Sequence, residues 1–588
     1  MADIATTPIT TLPEALTVSD TDTLLVVQSG KAKRAKAALM KGAKGDTGTE
    51  GAYFEYRFAK NSSATVPPAL TNNTANPAGW TTTVPAIGET EYLWLISAKK
   101  TAAGALLQNW STPACIKGGK GDKGDKGDPY VASHSQLTGL DSDDCHPMSA
   151  ITGLEDFINN IKYGESYGIE FDTTIANPAC KRIGKIDNHA SLPIQSKMRR
   201  CLLKDDGTVN YYLDANDSTK KENGTAAILD GTDGQVMVEI PEHWRKFEAE
   251  GTKRRVLISE NLILGFHFVP KCYRSAYQAA IDRTVSSAPK LASVVNNTPQ
   301  FRGGNNTIAW DGTYRSLLGV PASNVSLANF RAYARRRGTS GKNGAGWNCD
   351  VYDIQKICFW LYIVEYANLN CQLPFNSQLD ASGYKQGGLG DGVTTLDINA
   401  FGSFNSSNPF IPCGYTNNLG NRTGVVDFVM PTEYGSGLTV KVPTWRGIEI
   451  PFGHIFSLAD GCKVNIQANN AGGQTLFYIC GDPSKFQDSN YNDYEFRGLL
   501  LREATYIKEM LIGEFGDNMP KPAPGASSTT FFCDYFFFQL PASGEAQKAL
   551  CFGGSAIDGG IAGIGYSNVY LAPSGNDPKI GTRLCFIP

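Results

Sequence analysis

Glycine at every third position, in two separate runs, is the feature that most constrains what this 588-residue chain can fold into. The first run, 42–51, repeats glycine at this spacing, and the second run, 118–129, combines the same spacing with Lys-Gly-Asp steps. A helix of three extended chains requires this period, because only glycine fits at its crowded axis. The pattern predicts two short triple-helical rods and a homotrimer whose flanking domains also trimerise, since each run is too short to associate alone. A flexible Gly/Lys/Asp linker is the alternative interpretation.

Composition limits the classes of function that fit the chain. Lysine and arginine number 54 against 57 aspartate and glutamate residues, which gives a formal net charge of −3. This near balance argues against a protein whose main task is electrostatic binding of nucleic acid. The 14 cysteines form no CxxC pair, so we expect mostly free, buried thiols rather than a zinc or redox centre.

Two further features bear on where the chain is made. The N-terminus has no basic stretch followed by an apolar stretch, so we expect no secretory signal. The longest apolar run, 357–364, is too short to span a bilayer, which needs about 20 residues. We therefore expect a soluble protein made in a reducing cytoplasm, with no membrane insertion.

Shifts in composition divide the chain into six segments, of which the glycine runs are two. An N-terminal segment, 1–41, holds a predicted strand at Leu24–Val27. Between the glycine runs, the aromatic-rich segment 52–117 predicts a small immunoglobulin-like β-sandwich. Residues 130–162 are predicted to form a shaft or linker, and 163–588 a large α+β domain. The expected fold class is multidomain, mostly β and α+β.

Hydrophobic patterning and charge give finer expectations within the large domain. The pattern predicts a strand at Gln235–Ile240 and two helical segments, one near 271–281 and one at 350–370. Four arginines lie at 331–337, the densest basic cluster of the chain. Since two of them share one helical face, we interpret the cluster as structural or solvated rather than as a nucleic-acid patch.

No motif predicts a metal, a cofactor or a catalytic centre. The Asp/His/Cys group at 141–146 lacks any recognised ligand spacing. The GxSxG match at 164–168 lacks the preceding strand and following helix of a nucleophile elbow, so we interpret it as a chance match in a turn. Carboxylates are plentiful, so the residues alone leave a glycosidase pair open.

The C-terminus is the most unusual segment, because eight glycines fall within 553–588. One interpretation is a pair of core strands joined by a Gly/Ser loop. The other is a rigid frame that holds a loop of Ser, Tyr and Asn, residue types that favour adaptable binding surfaces.

The order of the segments resembles a bacteriophage tail fibre. The resemblance implies a virion-attachment segment at 1–41, collagen-like rods at the two glycine runs, a small β-domain at 52–117 and a shaft at 130–162. Residues 163–588 resemble the C-type-lectin-fold proteins that diversity-generating retroelements diversify, a family that includes phage tropism determinants. The motifs that carry this second resemblance are Gly168–Asp172, Cys180–Gly184, Ser191–Arg199, Gly303–Leu318, Trp445–Ile455, Asp482–Asn490 and Gly553–Phe586.

These resemblances imply a function and a set of contact residues. They imply a virion tail-fibre adhesin, not an enzyme, that binds a host bacterial surface glycan or protein and contacts other tail or baseplate proteins through its N-terminus. In that family a variable patch lies between a Gly-Gly-Ser element and an Ile-Gly-x-Arg-Leu element. Carried over, the receptor-binding positions are Ser555, Ile557, Ile564, Tyr566, Asn568, Tyr570, Asn576, Asp577 and Lys579. A fibre-borne polysaccharide depolymerase is the alternative function.

The same fold houses formylglycine-generating enzymes, which hold copper with a closely spaced cysteine pair. Here Cys551 and Cys585 flank the glycine-rich loop 34 residues apart, and no CxxxxC spacing occurs. This departure from the enzymes' pattern argues against oxidase activity and a copper cofactor.

Overall fold

In a computed structural model of the chain, most of the regular secondary structure is β-strand, and most strand pairs are antiparallel. The residues that the structure describes are 53–88, 90–117, 162–301, 303, 319–338, 346–375, 410–429 and 439–588, together with the backbone of 23–28 and 31–36. They belong to two units, 1–142 and 143–588. The predicted β-rich, multidomain fold class is confirmed at this level.

Both glycine runs, 42–51 and 118–129, lie outside the described residues, as does 130–161. The collagen-like rods, the shaft and the homotrimer therefore stay predictions.

The first unit contains two small antiparallel sheets. Strands β1 (Thr23–Gln28) and β2 (Lys31–Lys36) form a hairpin, which confirms the strand predicted at Leu24–Val27. The second sheet has the order β3-β4-β5, with β3 at Tyr53–Asn61, β4 at Tyr92–Lys100 and β5 at Ala114–Lys117.

The predicted two-sheet sandwich at 52–117 is wrong for the residues described there, which form one sheet of three strands. Loop tryptophans take the place of a second sheet. Trp80 and Trp110 are buried against Trp94 and Ile96 of β4, and their indole N–H groups donate to loop carbonyls at 3.0 and 2.8 Å. Large rings whose polar atoms are satisfied locally can cover one face of a short sheet without further strands.

Three larger sheets organise the second unit, with strands numbered in chain order. The six-stranded sheet runs β17 (Trp347–Cys349), β29 (Leu584–Phe586), β14 (Cys272–Ser275), β10 (Gln235–Ile240), β8 (Arg199–Leu203), β9 (Val209–Tyr212). The five-stranded sheet runs β13 (His267–Val269), β11 (His243–Glu250), β12 (Lys253–Ser259), β6 (Tyr167–Asp172), β7 (Lys181–Gly184). The eight-stranded sheet runs β23 (Glu495–Leu499), β22 (Thr475–Ile479), β21 (Phe456–Gln467), β26 (Glu545–Phe552), β27 (Ser567–Asn568), β25 (Tyr535–Phe537), β24 (Thr505–Tyr506), with β28 (Ile580–Gly581) pairing alongside β21.

Two minor sheets and three α-helices complete the described part of this unit. The minor sheets are β15 (Ala280–Asp282) with β16 (Lys290–Ala292), and β18 (Gly424–Val429) with β19 (Thr439–Trp445) and β20 (Ile448–Glu449). The α-helices are α1 (Ile186–Ser191), α2 (Leu327–Arg335) and α3 (Tyr352–Tyr366). Among the helices described, none is long and apolar enough to cross a membrane.

Helix α3 lies at the centre of the largest apolar core. Nearly all of its side chains are buried, and Phe359 shares a cluster with Ile169 of β6, Val238 of β10 and Phe477 of β22. A helix that is apolar on every side belongs inside a large domain. The predicted helix at 350–370 is thus confirmed, as is the strand at Gln235–Ile240.

The helix predicted near 271–281 is wrong, because this stretch holds β14 and the first residues of β15. All four residues of Cys272–Ser275 are buried, and β14 lies between β10 and β29. A short run buried on both faces does not alternate, so periodicity alone does not separate it from a buried helical turn.

Candidate functional site

The glycine-rich C-terminal segment is anchored at its end by a buried arginine. Arg583 donates to the carbonyl oxygens of Ser275 at 3.3 Å, Glu449 at 2.7 Å and Ile450 at 2.6 Å. Burial lowers the pKa of its guanidinium to about 10. Because Arg583 satisfies three carbonyls from two segments, it ties the end of the chain to β14 and to the turn at the end of β20.

A buried ion pair supports the same region. The Arg274 guanidinium contacts the Asp350 carboxylate through Nη2–Oδ2 at 2.5 Å and Nε–Oδ1 at 3.1 Å. The Ser457 hydroxyl donates to Asp350 Oδ2 at 2.6 Å, and the Asp350 N–H donates to Thr582 Oγ1 at 3.1 Å. Asp350 therefore links β14, β21 and the segment just before β29.

Close backbone approach, not flexibility, accounts for two glycines of the loop. A Cβ at Gly563 would lie 1.7 Å from Asp534 Oδ1, and one at Gly565 would lie 2.4 Å from Asp534 Oδ2. The Gly565 N–H donates to Asp534 Oδ2 at 2.9 Å, and the Cys371 thiol donates to Oδ1 at 3.0 Å. Burial raises the pKa of Asp534 to about 7.

Two glutamines hold the loop backbone between these glycines and the Gly-Gly-Ser element. Gln355 of α3 donates to the Ile564 carbonyl at 2.8 Å, and Gln372 donates to the Gly560 carbonyl at 2.8 Å. At the start of the loop, the Ser555 N–H and hydroxyl donate to one oxygen of Asp558 at 2.6 and 2.7 Å. We call 553–566, with these partners, the frame.

The nine predicted receptor-binding residues differ widely in exposure. Ser555, Ile564 and Tyr566 are buried, Ile557, Asn568, Asp577 and Lys579 are half-buried, and Tyr570 and Asn576 are exposed.

The prediction is wrong for Ser555, Ile564 and Tyr566, which belong to the frame or to the core beneath it. Ser555 bonds Asp558, the Ile564 carbonyl accepts from a core glutamine, and Tyr566 packs edge-on against Phe456 at 5.2 Å. A side chain that is 1 to 2% exposed cannot present itself to a partner.

Two of the predicted residues, Asn568 and Tyr570, lie beside side chains that the sequence did not single out, Phe537 and Lys548. The Tyr570 ring lies 6.1 Å from Phe537 in a T-shaped arrangement, and these side chains are 47% and 36% exposed. Asn568 Oδ1 accepts from the Tyr570 N–H at 2.8 Å, and Lys548 Nζ donates to the Tyr570 carbonyl at 2.7 Å. The backbone that carries the exposed ring is therefore held on both sides, at its N–H and at its carbonyl.

The exposed pair continues into a row of tyrosines. Tyr535 lies two residues before Phe537 on β25 and contacts Tyr506 of β24 at 5.2 Å and the buried Tyr566 at 5.9 Å. T-shaped ring contacts of this kind add stability beyond their buried area. We call Tyr506, Tyr535, Phe537 and Tyr570 the aromatic platform.

Other predicted residues lie in different surroundings. Ile557 packs against an apolar cluster that includes Phe410 and Val440. The Asp577 carbonyl accepts from the Asn324 N–H at 3.1 Å, and its side chain accepts from the Lys579 N–H at 2.8 Å. Apart from the buried Tyr566 beneath Tyr535, Asn568 and Tyr570 are the predicted residues for which the structure shows a direct link to the platform.

The GxSxG match was interpreted from the sequence as a chance match, and the structure agrees that it is not a nucleophile elbow. Ser166 is buried, its hydroxyl donates to the Tyr163 carbonyl at 2.5 Å, and strand β6 rather than a helix follows it. Cys551 and Cys585 are also buried, on β26 and β29, and burial raises the pKa of both thiols. Among the residues described, no group of three or more His, Cys, Asp or Glu side chains could hold a metal ion.

The arginine cluster is structural, which confirms the interpretation made from the sequence. Arg331 contacts Asp460 at 2.5 Å and Asp488 at 2.7 Å, and Arg337 contacts Asp205 at 2.9 Å. These pairs connect α2 and the residues just after it to β21 and to the loops that hold Asp205 and Asp488.

Comparison with known proteins adds no family to this description. No protein-family model and no curated protein matches the sequence. The functional argument therefore rests on the chain's own residues.

Proposed function

We propose that this chain is a homotrimeric bacteriophage tail-fibre adhesin whose C-terminal unit binds a glycan or protein on the host bacterial surface. In this proposal 163–588 is a C-type-lectin-fold domain, and its exposed C-terminal positions are targets of retroelement-directed diversification. The N-terminal segment would attach to other tail or baseplate proteins, with the glycine runs as collagen-like rods between.

The observation that carries the proposal is the exposed Tyr570–Phe537 pair. Aromatic faces on a fixed backbone supply contact area at low cost in side-chain entropy. They stack on sugar rings as well as on apolar protein side chains, and tyrosine is enriched at the energetic centres of interfaces. Asn568 and Asn576 add hydrogen-bonding groups of the kind that such surfaces use.

The frame supports the proposal from the opposite side. A diversified surface needs a backbone that keeps its conformation while exposed side chains change. Gln355, Gln372 and Asp534 hold 553–566 through groups in the core, and none of them lies in the segment 567–579 that follows. Substitution at Tyr570 or Asn576 therefore leaves these contacts in place.

Three copies of the platform on one fibre would act together. Once one site engages a surface, the remaining sites bind at a high effective concentration, so weak individual contacts give strong attachment. A substitution that weakens all three sites therefore lowers the attachment of the fibre by more than it lowers the affinity of one site.

The test measures binding of the labelled full-length chain to a panel of bacterial strains by flow cytometry. We expect Tyr570→Ala and Phe537→Ala each to lower cell binding by about tenfold or more. Phe496→Ala is the matched control, because Phe496 is 49% exposed on β23, at the other edge of the same sheet.

Folded Tyr570→Ala and Phe537→Ala chains that bind cells as the unaltered chain does would contradict the proposal. Incubation with purified host polysaccharide provides a second control. Steady release of reducing ends would replace the adhesin with the depolymerase alternative.

A further inference from the structure

A cavity of about 380 Å³ in the C-terminal unit has no role in the proposed adhesion. Its walls come from β11, β13, β23 and the first turns of α3, at the edge of the eight-stranded sheet opposite to the aromatic platform. Phe268 and Phe515 line the cavity and are 53% and 42% exposed, so the cavity is open to solvent at these rings. The volume lies within the range of small-molecule sites.

Arg245 of β11 brings an unsatisfied cation to this cavity. Its Nη1 atom is shielded from solvent and has no hydrogen-bond partner. The carboxylates of Asp353 and Asp517 attract the Arg245 guanidinium, but both are paired with Lys356. Burial lowers the pKa of the guanidinium. Arg245 is half-buried as a whole, but leaving a shielded donor such as Nη1 unpaired is costly.

The neighbouring cations of the cavity are already paired. Lys356 contacts Asp353 at 3.0 Å and Asp517 at 3.1 Å. Arg497 contacts Asp517 at 2.9 Å and Glu495 at 3.2 Å, and its guanidinium lies 3.7 Å from the centre of the Phe515 ring. Of the described cations lining the cavity, Arg245 alone has a donor without a partner.

The rest of the lining is mainly apolar and defines the class of molecule that fits. Val269, Pro270, Ile354, Ile357 and Ile479 contribute hydrocarbon surface. An inorganic anion would satisfy the guanidinium but leave these walls without contacts. A molecule with several negative charges would meet the two carboxylates of the lining as well as the arginine.

We propose that this cavity binds a small organic monocarboxylate, whose carboxylate pairs with Arg245 and whose apolar body lies between Phe268 and Phe515. A planar guanidinium offers two parallel N–H donors that match the geometry of a carboxylate. The site is independent of the aromatic platform, so either proposal can fail without the other.

The test titrates benzoate into the full-length chain and follows binding by isothermal titration calorimetry. We expect saturable binding of one benzoate per chain. The affinity for benzamide, its neutral analogue, should be lower by a factor of at least about ten. Inorganic phosphate is expected to bind no better than benzamide. These comparisons use the unaltered protein and do not depend on any variant folding.

Two variants assign the binding to Arg245. Arg245→Met keeps the aliphatic stem and is expected to weaken benzoate binding by about tenfold or more, while raising the melting temperature, because an unpaired buried charge is removed. Lys246→Met is the matched control: this neighbour is part-exposed and paired with Glu248 at 2.7 Å, and benzoate binding should not change.

Four results would overturn the proposal. They are no saturable benzoate binding, equal affinity for benzoate and benzamide, phosphate binding tighter than benzoate binding, and unchanged benzoate binding in a folded Arg245→Met chain.

Discussion

The two halves of the C-terminal loop, 553–566 and 567–579, differ in what their residues contact. The first half is pinned by buried polar groups, and its glycines permit backbone atoms to approach Asp534 closely. The second half carries the exposed Tyr570 and Asn576, and little of the core depends on their side chains. Glycine content and exposure therefore do not coincide in this loop: the glycine-rich half is the constrained and buried one.

The largest expected effect comes from removing the buried carboxylate of Asp350, which pairs with Arg274 beside the end of the chain. Asp350→Ala leaves Arg274 buried without its partner, which typically costs about 3–5 kcal/mol. The free energy of unfolding of the C-terminal unit, measured by urea titration, should fall by that amount. Asp577→Ala is the control, because Asp577 is half-buried and its side chain accepts from the Lys579 N–H. An equal loss in both variants would contradict the role given to the buried Arg274–Asp350 pair.

The pH dependence of stability should reveal Asp534 next. Its pKa is about 7 in the folded chain and about 3.9 in an unfolded one, so folding favours its protonated form. The stabilisation is fully present below about pH 4 and is lost as pH rises through 7, on the order of 4 kcal/mol.

Asp534→Asn keeps a neutral group at every pH and isolates this contribution. Relative to this variant, the unaltered chain should lose stability between pH 4 and 7 in urea titrations. Burial lowers the pKa of His243 to about 4 and that of His454 to about 3, which removes stability as pH falls below about 6.5. Both histidines are present in both proteins, so they cancel in the difference, and parallel curves would contradict the role given to Asp534.

A methyl group at Gly563 should have a smaller but clear effect. The added Cβ of Gly563→Ala would overlap Asp534 Oδ1, and relieving such overpacking typically costs about 1–3 kcal/mol. Gly481→Ala is the control, because a Cβ there meets nothing within 4 Å and its φ is not in the left-handed region. Equal unfolding midpoints for the two variants would show that the loop can move away from Asp534.

The sequence predicted elements whose patterns are local. Strand β10 and helix α3 have consistent apolar patterns, and Arg331 of α2 pairs with Asp460 and Asp488 as a residue of a structural face would. The helix prediction for 271–281 was wrong because burial on both faces removes the alternation that marks a strand.

The sequence did not predict that the rings of the aromatic platform lie together, and the reason is different. Phe537 and Tyr570 are far apart in the chain, and they meet because β25 and β27 pair in parallel, with Phe537 opposite Asn568. Parallel pairing between distant segments leaves no local signature. The Tyr-Phe-Phe run at 535–537 was the available signal, since alternating burial along a strand turns its first and third rings to the same side.

The smallest expected effect is on the stability of variants at the exposed positions of 567–579. It tests the difference between the two halves of the loop most directly. Tyr570→Ala and Asn576→Ala should each change the free energy of unfolding by less than about 0.5 kcal/mol, as exposed substitutions usually do. The Tyr570 N–H and carbonyl, which Asn568 and Lys548 hold, remain in the alanine variant. Urea titration of both variants beside Gly563→Ala checks this, and a loss above about 1 kcal/mol at Tyr570 would make its ring part of the frame instead of a surface free to vary.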